Sequence, residues 1–493
     1  MKILLVYPEY PDTFWSFKHA LKFISRKASF PPLGLLTVAS LLPKDWEKKL
    51  VDMSTKKLSD KDIAWADYVF ISAMTIQRQS AEQVIERCYK LGVKVVAGGP
   101  LFTTDYEKFN LVDHFILNEA EITLPLFLKD LEKNQAKRLY TSTQLADITK
   151  TPIPQWSLIR PNKYASMSIQ YSRGCPYNCE FCNVTSLFGR SIRTKTKEQV
   201  LTELEEIYKL GWRANVFMVD DNFIGNKLAL KKEILPAMID WMGKKKYPFS
   251  FNTQASINLA DDEELMRLLI EAGFDSVFIG VETPDENSLA ECNKLQNKNR
   301  DLIACIKKIQ NFGLQVQAGF IVGFDSDQAS IFERMICFIQ TSGIVTAMVG
   351  LLNAPRGTRL YQRLINEHRL LKDMTGNNTD LSLNFIPKMD RESLLAGYKK
   401  ILKTIYSPKE YYNRIIQLLK NYKARTKKNI SQFHFYHLRA FIKSIFLLGI
   451  IHKGRSYYWK LFFWSLFRRP KLLPLAVTLA IYGFHFRKIF ADY

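Results

Sequence analysis

The run Ser172-Arg-Gly-Cys-Pro-Tyr-Asn-Cys-Glu-Phe-Cys182 decides how the rest of the chain is read. It places Cys175, Cys179 and Cys182 in a C-x3-C-x2-C spacing on one short loop. Three thiolates so spaced suit three irons of a [4Fe–4S] cluster, and no fourth cysteine lies nearby to complete the set. An iron left open in this way can bind and activate a ligand. The competing reading is a zinc knuckle or a structural cluster. Zinc sites, however, pair their ligands and close at four, and neither a second C-x2-C nor a His pair is present. Cys88, Cys292, Cys305 and Cys337 are scattered through apolar helical contexts.

The pattern around this loop is α/β. A chain of 493 residues holds several domains. Its 47% hydrophobic and 24% charged content excludes a disordered polymer. Seven cysteines, three of them in one loop, argue against a disulfide framework and for a reducing cytoplasm. The opening Met1-Lys-Ile-Leu-Leu-Val-Tyr run stops at Pro8 and reads as a first strand, not as a signal peptide.

Residues 1–135 alternate strand and helix. Strands are expected at 2–7, 49–53, 68–73, 94–97 and 113–117, with helices at 33–42, 80–91 and 124–132. This is the pattern of a Rossmann-like, doubly wound parallel sheet. Such sheets bind ligands at the carboxyl ends of their strands, which here carry Pro8, Ser72 and the pair Gly98-Gly99. The glycines would let backbone approach a large flat ligand. No G-x-G-x-x-G follows the first strand, which argues against a nicotinamide site and against Asp52 as a ribose reader. Residues 136–166, with Pro152, Pro154 and Pro161, read as a linker.

From Ser168 the alternation restarts, with strands at 168–171, 215–219, 250–254, 276–281, 315–322 and 346–351. Helices are expected between them at 197–210, 261–272, 300–312 and 331–342. Six units over 167–365 make a partial (β/α)6 barrel, with its chemistry expected at the C-terminal strand ends. Those ends carry Asp220, Asp221 and Asn222, then Gln254, Glu282, Gly319 and Gly323. Asp and Asn also cap helices, and a buried Glu282 needs either a ligand or an internal arginine as partner. Arg193, just after the cysteine loop, is a candidate for neutralising charge there, or an ordinary surface residue.

Residues 366–493 are expected to be helical and basic. The polar segment 371–387 is expected over the barrel mouth, facing substrate. Net charge is +22 overall, and from Lys423 onward fourteen Lys/Arg face a single acid, Asp492. Aromatic and aliphatic runs are interleaved with this charge, each shorter than the roughly 20 residues of a spanning helix. Three readings fit: a membrane-surface helix pair, a bundle packed on the barrel with a solvated basic face, or a nucleic-acid surface.

The loop with Phe181 before its third cysteine, together with Phe30-Pro-Pro-Leu-Gly-Leu-Leu, Ala97-Gly-Gly-Pro and Asp220-Asp-Asn-Phe, resembles the cobalamin-binding radical S-adenosylmethionine (SAM) proteins. The group resembled is the class B methylase-like one with an extra C-terminal domain, which includes hopanoid and bacteriochlorophyll methylases and an anaerobic Mg-protoporphyrin ester cyclase. The resemblance implies a [4Fe–4S] cluster on Cys175, Cys179 and Cys182, with SAM chelating the open iron. It also implies cobalamin over the strand ends at Ser72, Gly98 and Gly99. Asp220, Asp221, Asn222, Gln254 and Glu282 would contact SAM, and Gly319 and Gly323 would lie against its adenine. The D-x-H-x-x-G signature that gives cobalt a histidine is absent, because Asp12 and His19 are too far apart to form it. The implied reaction cleaves SAM reductively, takes hydrogen from an unactivated carbon and transfers a methyl group from cobalamin. A hydrophobic lipid- or tetrapyrrole-like substrate and a reductant of flavodoxin or ferredoxin type would be its partners, in the cytoplasm or at the inner face of the membrane. A cyclase or rearrangement enzyme, an RNA-modifying enzyme and a non-enzymatic cluster sensor share parts of this evidence, although the apolar tail speaks against nucleic acid.

Overall fold

The computed structural model describes residues 1–423 and 435–491; positions 424–434 and 492–493 of the expected basic tail lie outside the described residues. The first sheet contains β1 (Lys2–Tyr7), β2 (Glu47–Asp52), β3 (Tyr68–Ser72), β4 (Lys94–Gly98), β5 (His114–Ile116) and β6 (Leu139–Tyr140). All neighbours are parallel, in the order β2-β1-β3-β4-β5-β6. Alternation within the apolar run of β1 feeds two cores. Leu4 and Val6 join Val69 and Ile71 on one face, while Ile3 and Leu5 join Tyr68 and Phe70 on the other. Burial on both faces is what a parallel sheet covered by helices requires. Helices α1 (Leu33–Leu41), α2 (Arg78–Lys90) and α3 (Ala120–Glu132) supply the cover. β6 falls inside the segment expected to be a linker, so this connector is partly sheet. Its Tyr164 hydroxyl donates to Asp52 at 2.9 Å, which pins it to the end of β2.

The second sheet is built from β7 (Met167–Ile169), β10 (Asn215–Met218), β11 (Ser250–Ala255), β12 (Phe274–Glu282), β13 (Gln315–Val322) and β14 (Ala347–Leu351), in the order β14-β13-β12-β11-β10-β7 and parallel throughout. This is the partial six-stranded barrel, with β7 and β14 as its free edges. The antiparallel pair β8 (Ser172–Arg173) and β9 (Arg193–Thr194) pinches the base of the cysteine loop. Helices α4 (Lys197–Lys209), α5 (Leu235–Lys244), α6 (Glu263–Ala272), α7 (Leu302–Phe312), α8 (Ile331–Ser342) and α9 (Arg359–Asn366) follow the strands. Across the open side between β7 and β14 runs an N-terminal arm. Ser166 beside β7 donates to the Ser29 carbonyl, and at the arm's other end the Trp15 indole reaches Met348 of β14.

Five further helices follow: α10 (Arg391–Tyr406), α11 (Pro408–Asn421), α12 (Phe435–Ser444), α13 (Arg455–Arg468) and α14 (Leu473–Ile489). They are bolted to the strand starts by hydroxyls. Tyr406 donates to the Ala347 carbonyl and Tyr422 to that of Gly313. Arg414, fully buried, donates to the carbonyls of Ile405 and Val345. Pro470–Ile489 form one helical stretch of 20 residues, longer than the sequence runs implied and long enough to cross a membrane. Half of its apolar window is nevertheless buried inside the protein, against Tyr411 and Phe14. It serves as the core helix of this bundle.

Gly483 is tightly packed, since a Cβ there would overlap the Tyr411 ring. Gly483→Ala should therefore cost roughly 1–3 kcal/mol, the usual penalty of overpacking, and lower the melting temperature by several degrees in a thermal unfolding scan.

Candidate active site

The C-terminal strand ends of the two sheets face each other. Glu119, just past β5, is the pivot. It is buried and takes Arg173 at 2.7 Å and Arg193 at 2.8 Å, while the Ala146 amide donates to it at 2.6 Å. Glu121 pairs with the same Arg173 at 2.7 Å. Arg173 and Arg193 are the two strands of the loop's pinched base, so the cysteine loop is clamped directly to the first sheet. Arg193 is thereby committed to Glu119 and does not turn toward the cysteines.

A second tie comes from residues 371–387. Lys108 pairs with Asp373, and Arg356 reaches both Asp373 and Asp105. Gly376 sits so close to Thr75 and Ile76 that a Cβ would lie 2.7 Å from the Ile76 nitrogen. The segment also presses the Asn378 carbonyl onto Gly350 of β14. It is thus wedged between the end of β3 and the barrel edge.

Within the loop, Cys175, Cys179 and Cys182 are free thiols and half-buried. Burial raises all three thiols, Cys182 to about 12. Gln296 approaches the Cys179 sulfur at 3.9 Å. Among the described residues no three His, Cys, Asp or Glu side chains converge tightly enough for a single metal ion. Glu180, inside the loop, is held by Arg363 of α9 at 2.8 Å, and Arg363 also reaches Asp325 at 2.8 Å. Burial alone would raise Asp325, but Arg369 and Arg363 bring it down to about 2.

The strand-end carboxylates divide into two kinds. Asp220 is turned inward: it accepts from the amides of Tyr171 and Ser172 and from the Ser172 hydroxyl. Its oxygens therefore brace the entry to the cysteine loop, and burial lifts it to about 6. Asn222 is buried too, its carbonyl oxygen accepting from the Ser256 amide at 3.2 Å. Among the described residues no neighbour braces Asp221 in this way, and its carboxylate meets its own backbone amide. Burial and the neighbouring Asp220 push it up to about 7, and its charge is felt at Cys175.

Glu282 stands at a register shift in β12 with φ +64, an uncommon conformation for a non-glycine residue. Its partner is Lys294, at 2.6 Å, and not an arginine. A Cβ on Gly280 would strike the tips of both side chains where they now lie, so the glycine leaves room for the pair in this position. Burial opposes the Lys294 charge, but Glu282 and Cys179 more than offset it and raise its pKa. Lys294 was not foreseen from the sequence, since no motif surrounds it. Gln254, half-buried, is the penultimate residue of β11. Gly319 lies beneath the Phe278 ring, and Gly323 takes φ +104 against Leu394. Aromatic residues of the N-terminal arm pack on the barrel strands, Trp15 on Phe278 at 5.4 Å and Phe30 on Phe217 at 5.1 Å.

On the opposite edge, Gly98 and Gly99 are needed by the fold itself. A Cβ at 98 would lie 2.7 Å from the Ile116 carbonyl, and one at 99 would lie 2.5 Å from the Ser72 hydroxyl. Close packing of strand ends, more than approach of a ligand, accounts for this pair. The ends of β1 and β3 form the crevice where such sheets bind ligands. Gln77 there donates to the Pro8 carbonyl, and Met74 stands 47% exposed. A flat apolar ligand would cover that methionine. His19 lies on the arm beside Asp12 and His485, away from the crevice.

A parallel sheet with a ligand crevice set opposite a six-stranded barrel with a three-cysteine loop defines a two-cofactor enzyme. A model of the radical SAM superfamily matches residues 169–339, one of the B12 binding domain residues 23–128, and one of a domain of unknown function (DUF4070) residues 358–493. An uncharacterized methyltransferase of Synechocystis sp. is 40% identical over 99% of this chain and 91% of its own. The hopanoid C-2 methylase of Rhodopseudomonas palustris is 34% identical over 84% of this chain and 78% of its own. The structure of the cobalamin-dependent radical enzyme OxsB superposes with a TM-score of 0.65 at 16% identity, covering 100% of this chain and 84% of that one. The chain belongs to the cobalamin-binding radical SAM family. It is a cobalamin-dependent radical SAM methyltransferase, and its cofactors are a [4Fe–4S] cluster, SAM and cobalamin.

Two outcomes follow from this geometry. Glu119→Gln leaves two arginines facing a neutral group, and breaking such a buried pair should cost roughly 3–5 kcal/mol. Limited proteolysis should then cut the connector 136–166 faster. Asp52, buried under Tyr164, is raised by burial from 3.8 to about 6. Its preference for the protonated form contributes stability in full below about 4, and this is lost as pH rises through about 6. Asp52→Asn should remove that fall, on the order of 3 kcal/mol at most, from the pH dependence of urea unfolding.

Proposed function

We propose that this enzyme methylates an unactivated carbon of a hydrophobic, polycyclic lipid, with Cys175, Cys179 and Cys182 holding the cluster. The observation that carries this reading is the pair of aromatic contacts between the N-terminal arm and the barrel strands, Trp15 on Phe278 and Phe30 on Phe217. The similarity to a hopanoid C-2 methylase supports a lipid over a tetrapyrrole. When bound, the cluster and cobalamin supply the electron and the methyl-carrying cobalt that no side chain can provide.

In this reading the protein's own work is orientation. Asp221, the strand-end carboxylate without an internal brace, accepts from the SAM ammonium. The Lys294–Glu282 pair presents a fixed cation beside Cys179, and Gln254 hydrogen-bonds the nucleoside. Gly319 and Gly323 admit the adenine, while Asp220 and Asn222 hold the loop and strand end in place. Ser72, Gly98 and Gly99 form the rim under cobalamin. The aromatic rings exclude water from the reacting carbon. A flavodoxin or ferredoxin type donor reduces the enzyme in the cytoplasm, with the protein peripheral at the inner face of the membrane. The domains are assigned as 1–135 for cobalamin, 136–166 as connector, 167–365 for SAM and 366–493 as the helical basic region.

The test is anaerobic incubation with methyl-labelled SAM, a reductant and either a hopanoid or a tetrapyrrole acceptor. Label in the hopanoid supports the reading, label in the tetrapyrrole alone replaces the substrate class, and SAM cleavage without substrate label overturns methylation. Cys182→Ser should lose iron and abolish 5′-deoxyadenosine formation. Asp221→Asn should keep its iron and raise the KM for SAM roughly tenfold or more, the effect of losing a charge-assisted hydrogen bond.

A further inference from the structure

The bundle's outer face carries an apolar stripe with no partner in the protein. α12 runs on through a wider helical stretch, Ile445–Ile451, and along this continuous helix every fourth residue faces out: Ile442 at 58% exposure, Phe446 at 56% and Ile450 at 54%. Ile451 extends the stripe at the turn. α13 adds Phe463 and Phe467, stacked on one another, and Phe467 is 78% exposed. Trp459 of α13 packs on Gly449 and donates to its carbonyl at 2.9 Å, which joins the two halves into one surface. The opposite sides of the same helices, Leu448, Tyr458 and Leu461, are buried in the bundle. The outward stripe is therefore not a core face left uncovered by a misplaced helix. Beside it lies a shallow hollow of about 390 Å³ between Phe23 and Phe446, with Lys22 and Lys443 at its rim.

The charge around the stripe has one sign. Residues 437–471 contain eight Lys/Arg and no Asp or Glu. Arg439, Lys453, Arg455, Lys460, Arg468 and Lys471 flank the apolar residues, and among the described residues no ion pair to a carboxylate is formed by any of them. Large exposed apolar groups ringed by unpaired cations are the composition of an interfacial helix on an anionic bilayer. A nucleic-acid surface would not expose Ile and Phe between its cations, and a second copy of this chain would oppose cation to cation. α14 is long enough to span, but its burial against Tyr411 and Phe14 keeps it inside the protein.

We infer that the α12–α13 face docks in the headgroup region of a bilayer containing anionic lipid, with Phe446, Ile450, Ile451, Phe463 and Phe467 entering the acyl boundary and the surrounding Lys and Arg meeting phosphate. This deepens the peripheral placement proposed above by naming the surface and the lipid charge it selects. It depends neither on the cofactors nor on methyl transfer, so loss of one leaves the other standing.

The experiment is co-sedimentation of the full-length protein with vesicles of phosphatidylcholine alone or mixed equally with phosphatidylglycerol. The anionic vesicles should bind at least about tenfold more tightly, with the difference shrinking in high salt as exposed charges are screened. Ile450→Ser with Phe467→Ser, and separately Lys453→Glu with Arg455→Glu, should each weaken binding about tenfold with the melting temperature unchanged, because these side chains are exposed. Equal binding to both vesicle types, or variants that bind as well as the parent, would overturn the inference. So would absence of vesicle binding together with self-association that Phe467→Ser abolishes.

Discussion

Everything in this molecule depends on holding two sheets with their carboxyl edges opposed. Each edge is a place where strand-end backbone and short polar side chains can receive a ligand. Room for a ligand has to be kept between the two edges while they are held in line. The protein solves this with charge. Glu119 is shared by Arg173 and Arg193, and Lys108, Arg356, Asp105 and Asp373 close the other side. Buried pairs contribute little net stability, yet they tolerate little displacement, since a broken pair leaves an uncompensated charge. A clamp of this kind fixes distance better than an oily contact would. It also ends on the two strands that frame the cysteine loop, so the alignment of the sheets and the shape of the loop are set by the same residues.

The loop itself is held from three sides. Asp220 braces its entry, Glu180 anchors its middle to α9 through Arg363, and Arg193 ties its exit. Lys294 and Glu282 then place one compensated cation beside Cys179. None of these groups needs to react. They determine where a cluster on the three thiols would sit and what field it would feel, and that is the protein's share of chemistry otherwise carried by its cofactors.

Local pattern was legible in the sequence and pairing was not. The apolar runs of β1, β3 and β13 and the spacing of the three cysteines encode burial and proximity over a few residues. They located both sheets and the loop to within a residue or two. The partner of Glu282 was a different matter. Whether it is a ligand, an arginine or Lys294 is decided by a register shift at Gly280 that no periodicity announces. Asp220 and Asp221 are adjacent and chemically identical, and only the fold turns one inward and leaves the other unbraced. Arg193 looked like a local neutraliser because its partner, Glu119, lies 74 residues away. At Gly98 and Gly99 the neighbouring strand ends also come close, a packing that local pattern does not announce.

The N-terminal arm carries a consequence for how the chain is made. Phe14 stacks on Phe486 at 4.3 Å, and its carbonyl meets the His485 ring at 3.0 Å, so nearly the first and nearly the last residues close on each other. A contact across so much of the chain cannot form until α14 has been synthesised, since its partners lie 471 residues apart in sequence. Until then the arm rests on its ties to β7 and β14 without this last fastening. The arm's final lock therefore comes from the same helix that forms the core of the C-terminal bundle.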